Sequence, residues 1–301
     1  PGLPDLGPRS VAGFALLVTC VSPTPLFLFF KTHRIVTRRA QFMRFLATFN
    51  NIIVIAVFAI VRVAIPADAD PLAGLGALAW ISGVSSTLGL NLLVAGLAGV
   101  FFLLLGRARF DVAQGFSLIL GMVLLVSGLS AVIGASSLFS NLVVGAVLAN
   151  TSSRRTKLFG LLARYEKHLY VALLLLAGVS LPIEGAGQWD ELKWLLVALF
   201  VLPLARSAGG LAMRSEIPMR MGGLSMIGRG GLAVALAMEF HAWLPAQDAA
   251  TAMLIAGGSL VVTSAIGPAL MEAIGLKERL ERDRMERADA ERALSESGRA
   301  G

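Results

Sequence analysis

The chain has 301 residues, of which 56% are hydrophobic and 15% charged, and its mean hydropathy is +0.77. A water-soluble domain of this length needs more charged side chains on its surface, so the composition excludes one and indicates an integral membrane protein. One cysteine excludes a disulfide framework, and three scattered histidines lack metal-ligand spacing, so we expect no cofactor and no metal.

Long uncharged runs alternate with short charged clusters, which is typical of membrane spans and their loops. We predict an all-α membrane protein with about nine spans, each compared with a requirement of about 20 residues. The spans are Ser10–Phe30, Phe42–Val63, Ala77–Leu105, Phe116–Ile133, Leu138–Ala149, Leu169–Leu181, Trp194–Met213, Leu224–Leu244 and Ala250–Met271. They form a transmembrane domain over residues 1–275, and residues 276–301 are predicted to be a charged, helical cytoplasmic tail.

Basic residues concentrate in alternate loops, and cytoplasmic loops are the ones that retain Lys and Arg. Nine crossings fit this alternation without exception, including the short fifth and sixth spans, and they place the C-terminus in the cytoplasm. The net charge of +7 is therefore an orientation signal, and its spread over all inner loops argues against nucleic-acid binding. Between the fifth and sixth spans, "SSRRTKLFGLLARYEKH" is predicted to be an amphipathic helix on the inner membrane surface.

Two arginines lie within predicted spans, Arg206 in the seventh and Arg229 in the eighth. A charge at that depth costs several kcal/mol unless it is paired, so both are functional candidates. The alternative for Arg206 is that its side chain reaches the inner membrane surface. Arg229 lies in "MIGRGGLAVALA", where Gly228, Gly230 and Gly231 weaken the helix.

The first span is interrupted as well, by Pro23 and Pro25 in "LLVTCVSPTPLFLFF". These prolines predict a helix break near Thr19–Pro25 that leaves backbone groups unpaired at membrane depth, which is tolerated only around a cavity or a site. An early span broken by Pro and a late span broken by Gly are typical of inverted-repeat secondary transporters.

Five segments in order, "SPTPLFLFFK", "SLFSNLVVGAVLAN", "LLLLAGVSL", "LPLARSAGGLAMR" and "GRGGLAVALA", resemble the monovalent cation:proton antiporters, which include the sodium/proton exchangers and Kef-type exchangers. The resemblance covers nearly the whole chain. It implies two inverted three-helix repeats with two broken, crossing helices that move against a scaffold, usually in a homodimer. It also implies a bacterial-type inner or plasma membrane and an N-terminal truncation of three or four helices.

By this resemblance the ion site comprises Thr19, Ser22, Asn50, Asn51, Arg206 and Arg229. The family carries an Asn-Asp or Asp-Asp pair where this chain has Asn50 and Asn51, and the second acid of that pair exchanges a cation for protons. An amide does not titrate. The nearest replacement is Glu239, at the outer end of the eighth span.

The predicted function is therefore secondary transport, with a monovalent cation and a proton as partners in a lipid bilayer and with the family's acidic pair replaced. The alternative is a homologue that does not transport, or that handles an anion or a neutral solute, with a sensor or assembly role. An enzyme is disfavoured, because no constellation of His, Cys, Asp or Glu lies within the spans.

The topology predicts opposite sidedness for two loop positions, Thr156 and Asp190. Cysteines introduced singly by Thr156→Cys and Asp190→Cys should react with a membrane-impermeant maleimide from opposite sides of sealed vesicles. Labelling of both from one side would refute the nine-crossing arrangement.

Overall fold

The structure is a computed structural model that describes residues 7–21, 38–65, 77–105, 112–152, 155–180 and 230–263. All regular secondary structure in these ranges is helical. The helices are α1 (Pro8–Thr19), α2 (Arg38–Ala64), α3 (Ala77–Leu105), α4 (Val112–Val132), α5 (Ser137–Thr151), α6 (Arg155–Val179), α7 (Gly231–Phe240) and α8 (residues 246–263).

Three of the described helices contain stretches long and apolar enough to cross a membrane, Phe45–Ala64, Ile81–Leu105 and Gln114–Val132. Lipid offers the backbone no hydrogen bonds, so an apolar segment satisfies its own N–H and C=O groups by forming a helix. Large apolar side chains on the outside of α3 and α4, such as Leu97 and Leu124, are exposed, as lipid-facing residues are. The protein is therefore an all-α membrane protein.

The observed helices match the predicted spans closely in places and differ in others. The third span, Ala77–Leu105, is observed with the predicted bounds. The prediction of a separate surface helix before the sixth span is wrong, because α6 runs without interruption from Arg155 to Val179. No proline lies between these residues, so nothing ends the helix where its composition changes from amphipathic to apolar.

Buried side chains of α1, α2, α7 and α8 form one hydrophobic cluster, and we call these four helices the first unit. Its centre consists of Phe58, Phe240 and Trp243, whose ring centroids lie 5.4, 5.7 and 6.1 Å apart. The indole N–H of Trp243 donates to the backbone oxygen of Ile65 at 2.7 Å, which fixes the end of α2 against the turn after α7. Parts of α5 and α6, including Ala177, cover the edge of this cluster.

A second hydrophobic cluster joins α3, α4 and α5, which we call the second unit. It contains Phe102, Met122, Val126 and Val144. A chain of buried polar groups crosses it, listed here from donor to acceptor: Ser130 Oγ to Ser140 Oγ at 2.6 Å, and Ser140 Oγ to Asn91 Oδ1. Such bonds between helices suit a lipid environment, where a buried hydroxyl has no water to bind.

The second unit depends on a close approach between α3 and α5 at Gly99. An ideal Cβ on Gly99 would lie 2.9 Å from Cγ1 and 3.1 Å from Cβ of Val147. Val147 is β-branched and has little rotamer freedom in a helix, so it cannot readily move away. Small residues allow transmembrane helices to pack in this way.

We therefore expect Gly99→Ala to destabilise the protein by about 1–3 kcal/mol, the usual cost of overpacking. Gly96→Ala on the same helix is the matched control, because nothing lies within 4 Å of its ideal Cβ. Thermal unfolding in detergent measures both variants, and equal melting temperatures would contradict the close contact.

Candidate ion-binding site

The first helix ends where its sequence predicts a break. α1 ends at Thr19, and Cys20 has non-helical dihedrals, φ −59° and ψ 131°. The last bond of the helix runs from the N–H of Cys20 to the oxygen of Leu17 at 3.4 Å. The helix thus stops within the predicted Thr19–Pro25 segment, and Val21 needs partners for its backbone outside α1.

Asn51 of α2 supplies both partners. The N–H of Val21 donates to Asn51 Oδ1 at 3.2 Å, and Asn51 Nδ2 donates to the oxygen of Val21 at 2.7 Å. Next to it, Asn50 Nδ2 donates to the oxygen of Thr19 at 2.9 Å. The two amides therefore satisfy the backbone at the end of α1, where lipid could not.

The sequence predicted these residues as neighbours but missed the form of the contact. It placed the Asn pair beside the broken span and treated Asn51 as a polar ligand, whereas its amide forms a reciprocal pair with one backbone unit. A signal was present, because a Pro-broken helix at membrane depth requires donors and acceptors from another span. The side chain of Thr19 faces its own helix, since its hydroxyl donates to the oxygen of Leu16 at 2.8 Å.

The second interruption lies beside the first unit's core. α7 begins at Gly231, and Gly230 before it is extended, with φ −131° and ψ −176°. Cys20 at the end of α1 and Val234 in the first turns of α7 belong to the same buried cluster. Of the predicted site residues, the structure brings Thr19, Asn50 and Asn51 together, and the other three, Ser22, Arg206 and Arg229, lie outside the described residues.

An aromatic residue of α6 closes on the start of α7. An ideal Cβ on Gly231 would lie 3.0 Å from Cε2 of Tyr170 and 3.2 Å from Cδ2 of Leu173. Glycine at 231 thus permits α6 to pack directly against the first residue of the helix. The sequence singled out this glycine for weakening the helix and did not predict its contact with Tyr170.

Glu239 does not replace the missing acid of the Asn pair. Its Oε2 lies 3.0 Å from Nη1 of Arg62, and both side chains are largely buried. Arg62 is on the same face of α2 as Asn51 but about three turns away, about 16 Å along the axis. The Glu239 carboxylate therefore serves a separate contact at the other end of α2, and sequence reasoning missed Arg62 as its partner.

The fold and this amide-held helix end define a polytopic α-helical membrane protein with a broken span. The family model described as sodium/hydrogen exchanger, transmembrane, matches residues 2–272. The chain belongs to this family, whose members transport monovalent cations and protons and are integral membrane transporters rather than enzymes. The resemblance seen in the sequence is thereby confirmed. No curated protein matches the chain.

The reciprocal pair predicts a stability cost for Asn51→Ala. The substitution removes two hydrogen bonds and leaves the N–H and C=O of Val21 without their partner, so we expect a loss of about 1–3 kcal/mol. Asn150→Ala is the control, because Asn150 is exposed and donates only to Ala146 of its own helix, at 2.7 Å. Thermal unfolding in detergent should separate the two variants, and an equal effect would argue against the role of Asn51.

Proposed function

We propose that this protein is a secondary transporter that moves a monovalent cation and a proton by alternating access, at a site near the membrane midplane. The observation that carries the proposal is the reciprocal hydrogen bonding between Asn51 and Val21 at the end of a broken helix. The proposed site residues are Thr19, Ser22, Asn50, Asn51, Arg206 and Arg229. We propose further that the protein is a homodimer with a cytoplasmic C-terminus in a bacterial-type inner or plasma membrane.

The amide of Asn51 performs permanently what a proton or a cation would perform at a carboxylate. Its Nδ2 presents a hydrogen to the oxygen of Val21 at 2.7 Å. With aspartate at this position, two oxygens would face each other at about that distance. Their repulsion would be relieved by a proton on the acid or by a cation between them.

Exchange in the family follows from such a choice between proton and cation, since one carboxylate takes either. An amide cannot make this choice, so binding at the Asn51 site shows no carboxylate titration. In this proposal Asn51 is a fixed polar group that holds the broken helix end, and the proton is carried by a group other than residue 51.

A second function is favoured by one feature of the same contact. Both polar atoms of the Asn51 amide already bind Val21. A site whose ligands are used in this way suits a homologue that does not transport, or that handles an anion or a neutral solute, with a sensor or assembly role. Flux decides between the two, because full-length protein in liposomes moves sodium, lithium or potassium with protons only in the first case.

We expect Asn51→Asp to create pH-dependent sodium or lithium binding. The new carboxylate oxygen faces the oxygen of Val21 and requires a proton or a cation there, so cation affinity should rise as pH increases through the acid's pKa, between about pH 5 and 9. Calorimetric titration of the purified protein with sodium or lithium chloride measures the binding.

Asn150→Asp is the control for this experiment, because it adds the same charge at an exposed position near the end of α5. It should leave cation binding unchanged. A folded Asn51→Asp variant that binds no cation anywhere in that pH range would show that Asn51 does not occupy the family's cation position.

A further inference from the structure

The carboxylate of Glu239 joins the two packing units of the molecule. Its Oε2 accepts from Nη1 of Arg62 at 3.0 Å and from Oγ of Ser136 at 2.9 Å, and its Oε1 accepts from the N–H of Leu138 at 2.7 Å. Arg62 and Glu239 belong to α2 and α7 of the first unit, whereas Ser136 and Leu138 lie at the start of α5 in the second.

The start of α5 is suited to hold a carboxylate. Ser136 is the N-cap, and Leu138 is in the first turn, where backbone N–H groups have no partner within the helix. A negative charge there is also favoured by the helix dipole and forms charge-assisted hydrogen bonds. The side chains of Arg62 and Glu239 are only 10% and 11% exposed, so water competes weakly for these bonds.

Other bonds between helices lie within one unit. In the first unit, Asn51 binds Val21 and Ser10 Oγ donates to Asp248 Oδ2. In the second, Asn141 Nδ2 donates to Ser127 Oγ at 2.9 Å. Glu239 differs from these in connecting an element of one unit with an element of the other.

We propose that Glu239, Arg62, Ser136 and Leu138 form a latch that keeps the two units together at the end of α2, and that Glu239 must release Ser136 and Leu138 before that side opens. This inference rests on the alternating access proposed above. Arg62 and Glu239 are in the same unit, so the ion pair persists after release and the carboxylate is never left unpaired. Release is therefore reversible, because no isolated charge remains buried.

A cysteine at position 138 reports on the latch. Leu138 packs partly buried against the first unit's cluster, and Leu138→Cys retains the backbone N–H that binds Glu239. The reporter is placed in full-length protein with Cys20→Ser, and its reaction with a membrane-impermeant maleimide is timed in right-side-out and in inside-out vesicles. Opening of the latch exposes the thiol to one of the two sides.

We expect Glu239→Gln to increase the labelling rate about tenfold or more, because hydrogen bonds to a charged group bias a two-state equilibrium by at least that factor. Ser136→Ala removes one neutral donor and should increase the rate less, about threefold. Asp248→Asn is the matched control, since it weakens a bond to Ser10 within the first unit and should leave the rate unchanged.

Three results would overturn the latch. They are an unchanged rate in folded Glu239→Gln, an equal increase in Asp248→Asn, or, if Glu239→Gln does not fold, an unchanged rate in Ser136→Ala. Cation flux measured in the same vesicles tests the proposed transport separately. Absent flux with latch-dependent labelling overturns only the transport function, and flux with latch-independent labelling overturns only the latch.

Discussion

Backbone N–H and C=O groups in lipid must find partners inside the protein, and the rest of this structure depends on that constraint. It makes the spans helical, and it makes the end of α1 costly. Because α1 stops at Thr19, the backbone of Val21 requires a donor and an acceptor from another helix. The amide of Asn51 offers one of each, so a residue that is polar in an apolar run is required by its neighbour.

The same constraint explains why polar contacts are few, specific and placed at helix ends. Glu239 binds the first turn of α5, where N–H groups lack partners, and the indole of Trp243 binds the last backbone oxygen after α2. Apolar side chains then fill the space between helices, in one cluster around Phe58 and another around Val126. Polar bonds thus fix which helix ends meet, and packing fixes how closely the helices approach.

Replacing an acid by an amide changes the chemistry of the helix end without changing its structural duty. A carboxylate at 51 could accept from the N–H of Val21 but could not donate to its oxygen, so it would depend on a proton or a cation. Asn51 meets both needs by itself. The chain therefore keeps the broken helix of the sodium/hydrogen exchanger family with a bonding state that does not change with pH.

The sequence by itself determined the membrane class, the family and most helix positions, because hydropathy and proline act locally along the chain. The third span was predicted with its observed bounds, and the end of α1 within a few residues. Tertiary structure alone decided which backbone unit Asn51 binds and that Arg62 pairs with Glu239. These contacts join residues far apart in the chain, and their geometry depends on how helices pack, which local periodicity does not encode.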